Sequence, residues 1–153
     1  MITVSNTTAL TTLLKVGRAD LLAELFGEVL IPPAVQQELL QHHGIIPPCC
    51  VVRRVAESSR LQRLLAQADA GEAEAISLAV AINADLLLID DKKGRRLAQA
   101  EGVRCLGLPA LVLAARQRHL IPSIAGFLDL LERQGNFCLS ARARVGLMAQ
   151  AGE

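Results

Sequence analysis

Four aliphatic residues in a row, Leu86-Leu87-Leu88-Ile89, stand between a helically spaced stretch (Glu72 to about Asn83) and the carboxylate pair Asp90-Asp91. An uninterrupted apolar run of this length suits a strand buried on both faces. Such a strand needs helices above and below it. Less continuous runs at Ile2 to Val4, Val29 to Ile31, Cys50 to Val52 and Val103 to Leu106 fit the strand role. Between and after them, helical spacing covers Leu10 to Val16, Asp20 to Phe26, Pro33 to His42, Leu61 to Ala68, Lys92 to Glu101, Leu111 to Gln117, Ile124 to Arg133 and Leu139 to Gln150. Gly17 and Gly102 end two of these helices, and Pro33 sits where a proline can open one. Strands alternating with helices predict a three-layer α/β/α fold around a central parallel sheet, with further helices over about 122–150.

The 153 residues fit one domain, 1–153, and 52% hydrophobic against 20% charged residues describes a globular chain. Three Phe and no Tyr or Trp leave an aliphatic core and no aromatic platforms for stacking bases. If the chain handles nucleic acid, phosphates and metal must carry the contact. The net charge of +1 excludes a strong overall field. Locally, Lys92, Lys93, Arg95 and Arg96 follow directly on Asp90-Asp91, whereas Arg53-Arg54 and Arg142/Arg144 read as solvated faces. Cys49, Cys50, Cys105 and Cys138 match no zinc or redox spacing, so reduced, mostly buried thiols are expected. With no leader-like segment and no apolar run long enough to span a membrane, the expected location is the cytoplasm.

Ligands of open parallel sheets bind outside the carboxyl ends of the strands. Two such ends are polar here: the first strand enters Ser5-Asn6-Thr7-Thr8, and Leu86 to Ile89 enters Asp90-Asp91. If those strands are neighbours, Asn6 and one aspartate face a common cleft. Glu38 and the pair Glu72/Glu74 lie near the starts of two helices. Carboxylates gathered together repel unless a cation sits among them, and hard oxygen donors suit Mg²⁺ or Mn²⁺. By spacing alone, acidic residues at helix starts serve the macrodipole and aspartates after strands make turns or caps.

Four segments, VSNTTALTTLLKVGRADLL, LIPPAVQQEL, DAGEAEAISLA and ADLLLIDDKKGRRLAQAEGV, resemble the successive motifs of the PIN-domain family. The resemblance is to its short stand-alone prokaryotic branch, often paired with antitoxins. It covers about residues 1–120. It implies a Rossmann-like nuclease fold whose acidic centre holds Mg²⁺ or Mn²⁺ and hydrolyses RNA phosphodiesters. On this chain the four acidic positions fall on Asn6, on Glu38, on Glu72 or Glu74, and on Asp91 with Asp90 as the close alternative. Thr7 and Thr8 stand where a hydroxyl supports the first ligand. The expected catalytic set is Asn6, Glu38, Glu74 and Asp91. Glu72 and Glu74 are two apart on a helix and point to different sides, so only one can aim at the centre. Glu74 is preferred because it lies deeper, beside Ser77, while Glu72 sits in the first turn. Asn6 brings no charge, which should weaken metal binding.

In that setting the run Lys92, Lys93, Arg95 and Arg96 starts a helix beside the cleft, where some of these residues could hold RNA phosphates. His42 and His43 lack partners at ligand spacing and read as helix-end residues. The favoured function is a metal-dependent endoribonuclease, the toxin of a toxin–antitoxin pair. Its expected partners are RNA, a cognate antitoxin and a second copy of the chain, with no membrane. Two rivals remain: a PIN-like RNA-binding or regulatory module with a degraded centre, and a receiver-like phosphoacceptor using Asp90-Asp91.

Overall fold

The computed structural model describes residues 1–153. In chain order the elements are β1 (Thr3–Ser5), α1 (Thr7–Lys15), α2 (Asp20–Phe26), β2 (Val29–Ile31), α3 (Pro33–His43), β3 (Cys50–Val52) and α4 (Ser59–Leu65). They continue with α5 (Ala70–Ala81), β4 (Leu86–Leu88), α6 (Lys92–Ala100), β5 (Cys105–Leu106), α7 (Leu108–Gln117), α8 (Ile124–Gln134) and α9 (Ala141–Gln150). The five strands form one sheet in the order β3-β2-β1-β4-β5, and every pairing is parallel.

Successive strand residues point to opposite faces, and here each face meets its own core. Val29, Ile31 and Leu88 enter a cluster of 21 buried residues with α1, α2, α3, α7, α8 and Leu147 of α9. Val4, Leu30, Leu87 and Ile89 enter a second cluster of 13 with α4, α5, Ala98 of α6 and Val103. The apolar run Leu86 to Ile89 is therefore covered from both sides, as its composition requires. No helix is long and apolar enough to cross a membrane.

Several boundaries differ from the sequence reading for local reasons. The helix expected from Leu111 begins at Leu108, because Gly107 takes the N-cap, Pro109 suits the first turn and the Asp90 carboxylate accepts the Leu108 N–H at 3.0 Å. The last strand is reduced to Cys105 and Leu106, the only residues that pair with β4. All four cysteines are free, but only Cys50 is buried and Cys138 is exposed. The expectation of mostly buried thiols thus fails at the C-terminal end, where Cys138 lies between helices rather than beneath one.

Candidate metal centre

β1 and β4 lie side by side at the point where the strand order reverses, the place at which parallel sheets open a crevice. The Asn6 N–H donates to the Leu88 carbonyl at 3.0 Å, which joins the two strand exits directly. Asn6 stands at the N-cap of α1 with extended backbone, yet its side chain caps nothing. It is only 2% exposed. Its Oδ1 is buried with no hydrogen-bond partner, and the Thr7 hydroxyl is left in the same condition. A buried polar atom without a partner costs about 1–3 kcal/mol. Asparagine is among the best capping residues, so an Asn that forgoes its cap and keeps an unpaired oxygen is arranged for another ligand.

That oxygen belongs to a hollow of about 40 Å³ lined by Asn6, Thr7, Thr8, Glu38, Asp69 and Glu72, without a single apolar side chain. A water needs roughly 10–15 Å³ by the same measure, so the hollow admits an ion and one or two waters. Each wall is fixed by its own element. Glu38 comes from α3 and packs on Gly71, where an added Cβ would lie 2.5 Å from Glu38 Oε1. Asp69 caps α5 by accepting the Glu72 N–H at 2.8 Å, which sets Glu72 in the first turn. Asp91 caps α6 by accepting the Gly94 N–H at 2.8 Å. Glu72 reaches across to that cap, and a Cβ on Gly94 would approach its Oε1 to 3.3 Å.

Burial, together with the nearby carboxylates of Asp69 and Asp91, pushes the Glu72 carboxyl up to about 7, against a smaller opposing pull from Lys93. The cleft is thus a concentration of negative charge that protons partly relieve. Divalent cations relieve such charge more completely. No three His, Cys, Asp or Glu side chains converge into a ready-made cage. The neutral oxygen of Asn6, the Thr7 hydroxyl and waters must complete any shell, which is the habit of Mg²⁺.

The structure separates residues that the sequence left as alternatives. Glu74, the preferred acid of its helix, does not enter the hollow. It turns to the other side of α5, accepts the Ala34 N–H at 3.2 Å and lines a separate groove with Pro33, Arg54, Val55, Glu57 and Leu61. Glu72 takes the cleft instead, because two residues along a helix differ by about 200° in direction. Asp90 also points away, to the start of α7, and leaves Asp91 at the rim. Asp69 lies outside the expected site residues; its place three residues before Glu72 is that of a helix cap, and the cap brings its carboxylate to the cleft. Lys93 lies near enough to Glu72 for its charge to pull against the raised carboxyl, while Lys92, Arg95 and Arg96 line a second groove with Gln99. His42 and His43 close α3, with His43 Nε2 3.2 Å from Thr11 Oγ1, away from the hollow.

Comparisons with known proteins bear on the fold and the family. None of the curated proteins matches the chain. Among solved structures, the fold is similar to a PilT N-terminus domain protein, SSO1118, from the hyperthermophilic archaeon Sulfolobus solfataricus P2. The likeness has a TM-score of 0.57 at 21% identity and covers 72% of this chain and 90% of that one. The model of the DUF3368 family, described as a PIN domain, matches residues 2–153. With that match over nearly its whole length, and with an acidic crevice at the β1/β4 exits, the chain belongs to the PIN-domain family, generally nucleases.

Proposed function

We propose that the protein is a Mg²⁺- or Mn²⁺-dependent endoribonuclease, the toxin of a type II toxin–antitoxin pair. The observation that carries the proposal is the buried, unpartnered Asn6 Oδ1 in a hollow walled by Glu38, Asp69 and Glu72. In this reading Glu38, Glu72 and Asp91 supply the negative charge of the centre, and Asn6 adds a neutral carbonyl oxygen. Thr7 and Thr8 offer hydroxyls to the same space. When bound, a divalent cation polarises a scissile phosphate and lowers the pKa of water, so that no strong protein base is needed. Glu72 must surrender the proton it holds up to about pH 7 as the charge of the site is compensated. The Asp69 and Asp91 caps keep the starts of α5 and α6 rigid while this happens. An antitoxin seated over the cleft, and pairing of two copies through apolar helix faces, belong to the same proposal.

A second reading has its own support: Asn6 carries no charge and no complete cage is present, as expected of an RNA-binding module with a weakened centre. Labelled RNA incubated with Mn²⁺ separates the two. Wild type is expected to cleave, and a Glu38→Ala/Asp91→Ala variant is not. Cleavage by both at equal rates would expose a contaminant, and cleavage by neither would favour the module.

A further inference from the structure

Lys92, Arg95, Arg96 and Gln99 recur at helical spacing along α6 and form one stripe. With Cys105 and Gly107 they line an open groove of about 340 Å³ on the β5 side of the acidic cleft. Lys93, off the stripe, lies near Glu72 instead. The ion pairs of the molecule engage Arg18, Arg60, Arg63, Arg116 and Arg144. None engages Lys92, Arg95 or Arg96. Asp90 borders the groove, but its Oδ1 accepts the Leu108 N–H and it makes no ion pair with Arg95. Three cations at positions i, i+3 and i+4 repel one another on a bare helix. An anion in the groove would turn that repulsion into binding, and the planar forks of two arginines match phosphate oxygens.

The placement of the groove selects its ligand. α6 carries Asp91 of the acidic centre at its first cap, Lys92 beside it, and Arg95 and Arg96 of the basic stripe about one turn further on, roughly 5.4 Å along the axis. A nucleic-acid strand with a phosphate in the hollow therefore has its neighbouring phosphate near Arg95 and Arg96. We propose that this groove is a second, metal-independent phosphate subsite, which grips single-stranded RNA beside the scissile bond and carries it from the β1/β4 exits towards β5. The direction of travel rests on the nuclease reading; the grip does not. With no Tyr or Trp in the chain, base stacking contributes little to this contact, so its signature is electrostatic.

The test is anisotropy of a short labelled single-stranded RNA, in EDTA, across a salt series. Arg95→Ala/Arg96→Ala is expected to weaken binding about tenfold. It should also flatten the log K against log[salt] slope by about 1.4, at roughly 0.7 for each cation withdrawn from a single strand. Lys92→Glu/Arg96→Glu should do the same more strongly, which guards against a folding defect in the first variant. A Lys15→Ala/Arg133→Ala control, on exposed ends of other helices, should change neither quantity. Mn²⁺ binding to the Arg95→Ala/Arg96→Ala protein should match wild type in calorimetry. An unchanged slope and affinity, or an equal loss in the control, would overturn the subsite. Groove-dependent binding by a protein that cuts no RNA would uphold the subsite and defeat only the nuclease.

Discussion

Glu72 and Glu74 are two residues apart on one helix, and the fold treats them in opposite ways. Glu72 is pressed against the carboxylates of Asp69 and Asp91 and holds its proton up to about 7. Glu74 accepts the Ala34 N–H in the first turn of α3, a favourable place for negative charge. One carboxylate is crowded by others at the acidic hollow; the other helps to hold two helices together. A local sequence such as GEAEAI reads almost symmetrically, but the direction in which each residue leaves the helix decides which faces the hollow and which braces α3.

The sharpest way to break this contrast is metal affinity. Glu72→Ala should reduce Mn²⁺ affinity in calorimetry by at least about 100-fold, the upper end of what losing an outer-shell partner does. Glu74→Ala should leave it within about twofold. If the two variants behave alike, the division between the two sides of α5 is wrong. A smaller effect comes from Gly71→Ala. The new Cβ would stand 2.5 Å from Glu38 Oε1, so the flexible end of Glu38 must swing out of place. Mn²⁺ affinity should fall about tenfold while thermal stability holds or rises, since Ala is favoured over Gly in a helix by roughly 0.5–1 kcal/mol. Parallel losses of binding and stability would assign Gly71 to packing instead.

The smallest effect is a slope. Glu72 holds its proton to about 7 in the folded chain against 4.5 for a free glutamate. Its contribution to stability is therefore complete below about pH 4.5 and is lost as the pH rises towards 7. Denaturant titrations of the metal-free protein should show this decline, and Glu72→Gln should flatten it.

Much of the fold was legible because the sheet is buried on both faces. A run such as Leu86 to Ile89 has no other comfortable home, and Gly17, Pro33 and Gly102 punctuate the helices at their ends. That the exits of β1 and β4 are neighbours was only a condition at the level of sequence; alternation makes a sheet parallel but does not order its strands, and the order β3-β2-β1-β4-β5 supplies the adjacency. Sequence preferred Glu74 for its depth along the helix, whereas the hollow is lined by Glu72, because the rotation of α5 is fixed by what packs beneath it, with Ala73, Ala75 and Ile76 entirely buried. The two aspartates after β4 part by their hydrogen bonds: Asp91 caps α6 at Gly94 beside Glu72, while Asp90 is drawn to Leu108. The stripe on α6 could be read as basic but not divided, since only the position of Glu72 shows that Lys93 serves a different side.

The bond from the Asn6 N–H to the Leu88 carbonyl spans more than half the chain. Its acidic walls come from residues 38, 69 and 72, with Asp91 at the rim. No early portion of the polypeptide can assemble the pocket, because β4 must emerge and slot in beside β1 before the opening exists. Whatever chemistry the hollow performs is therefore withheld from a partly made chain, a delay written into strand order alone.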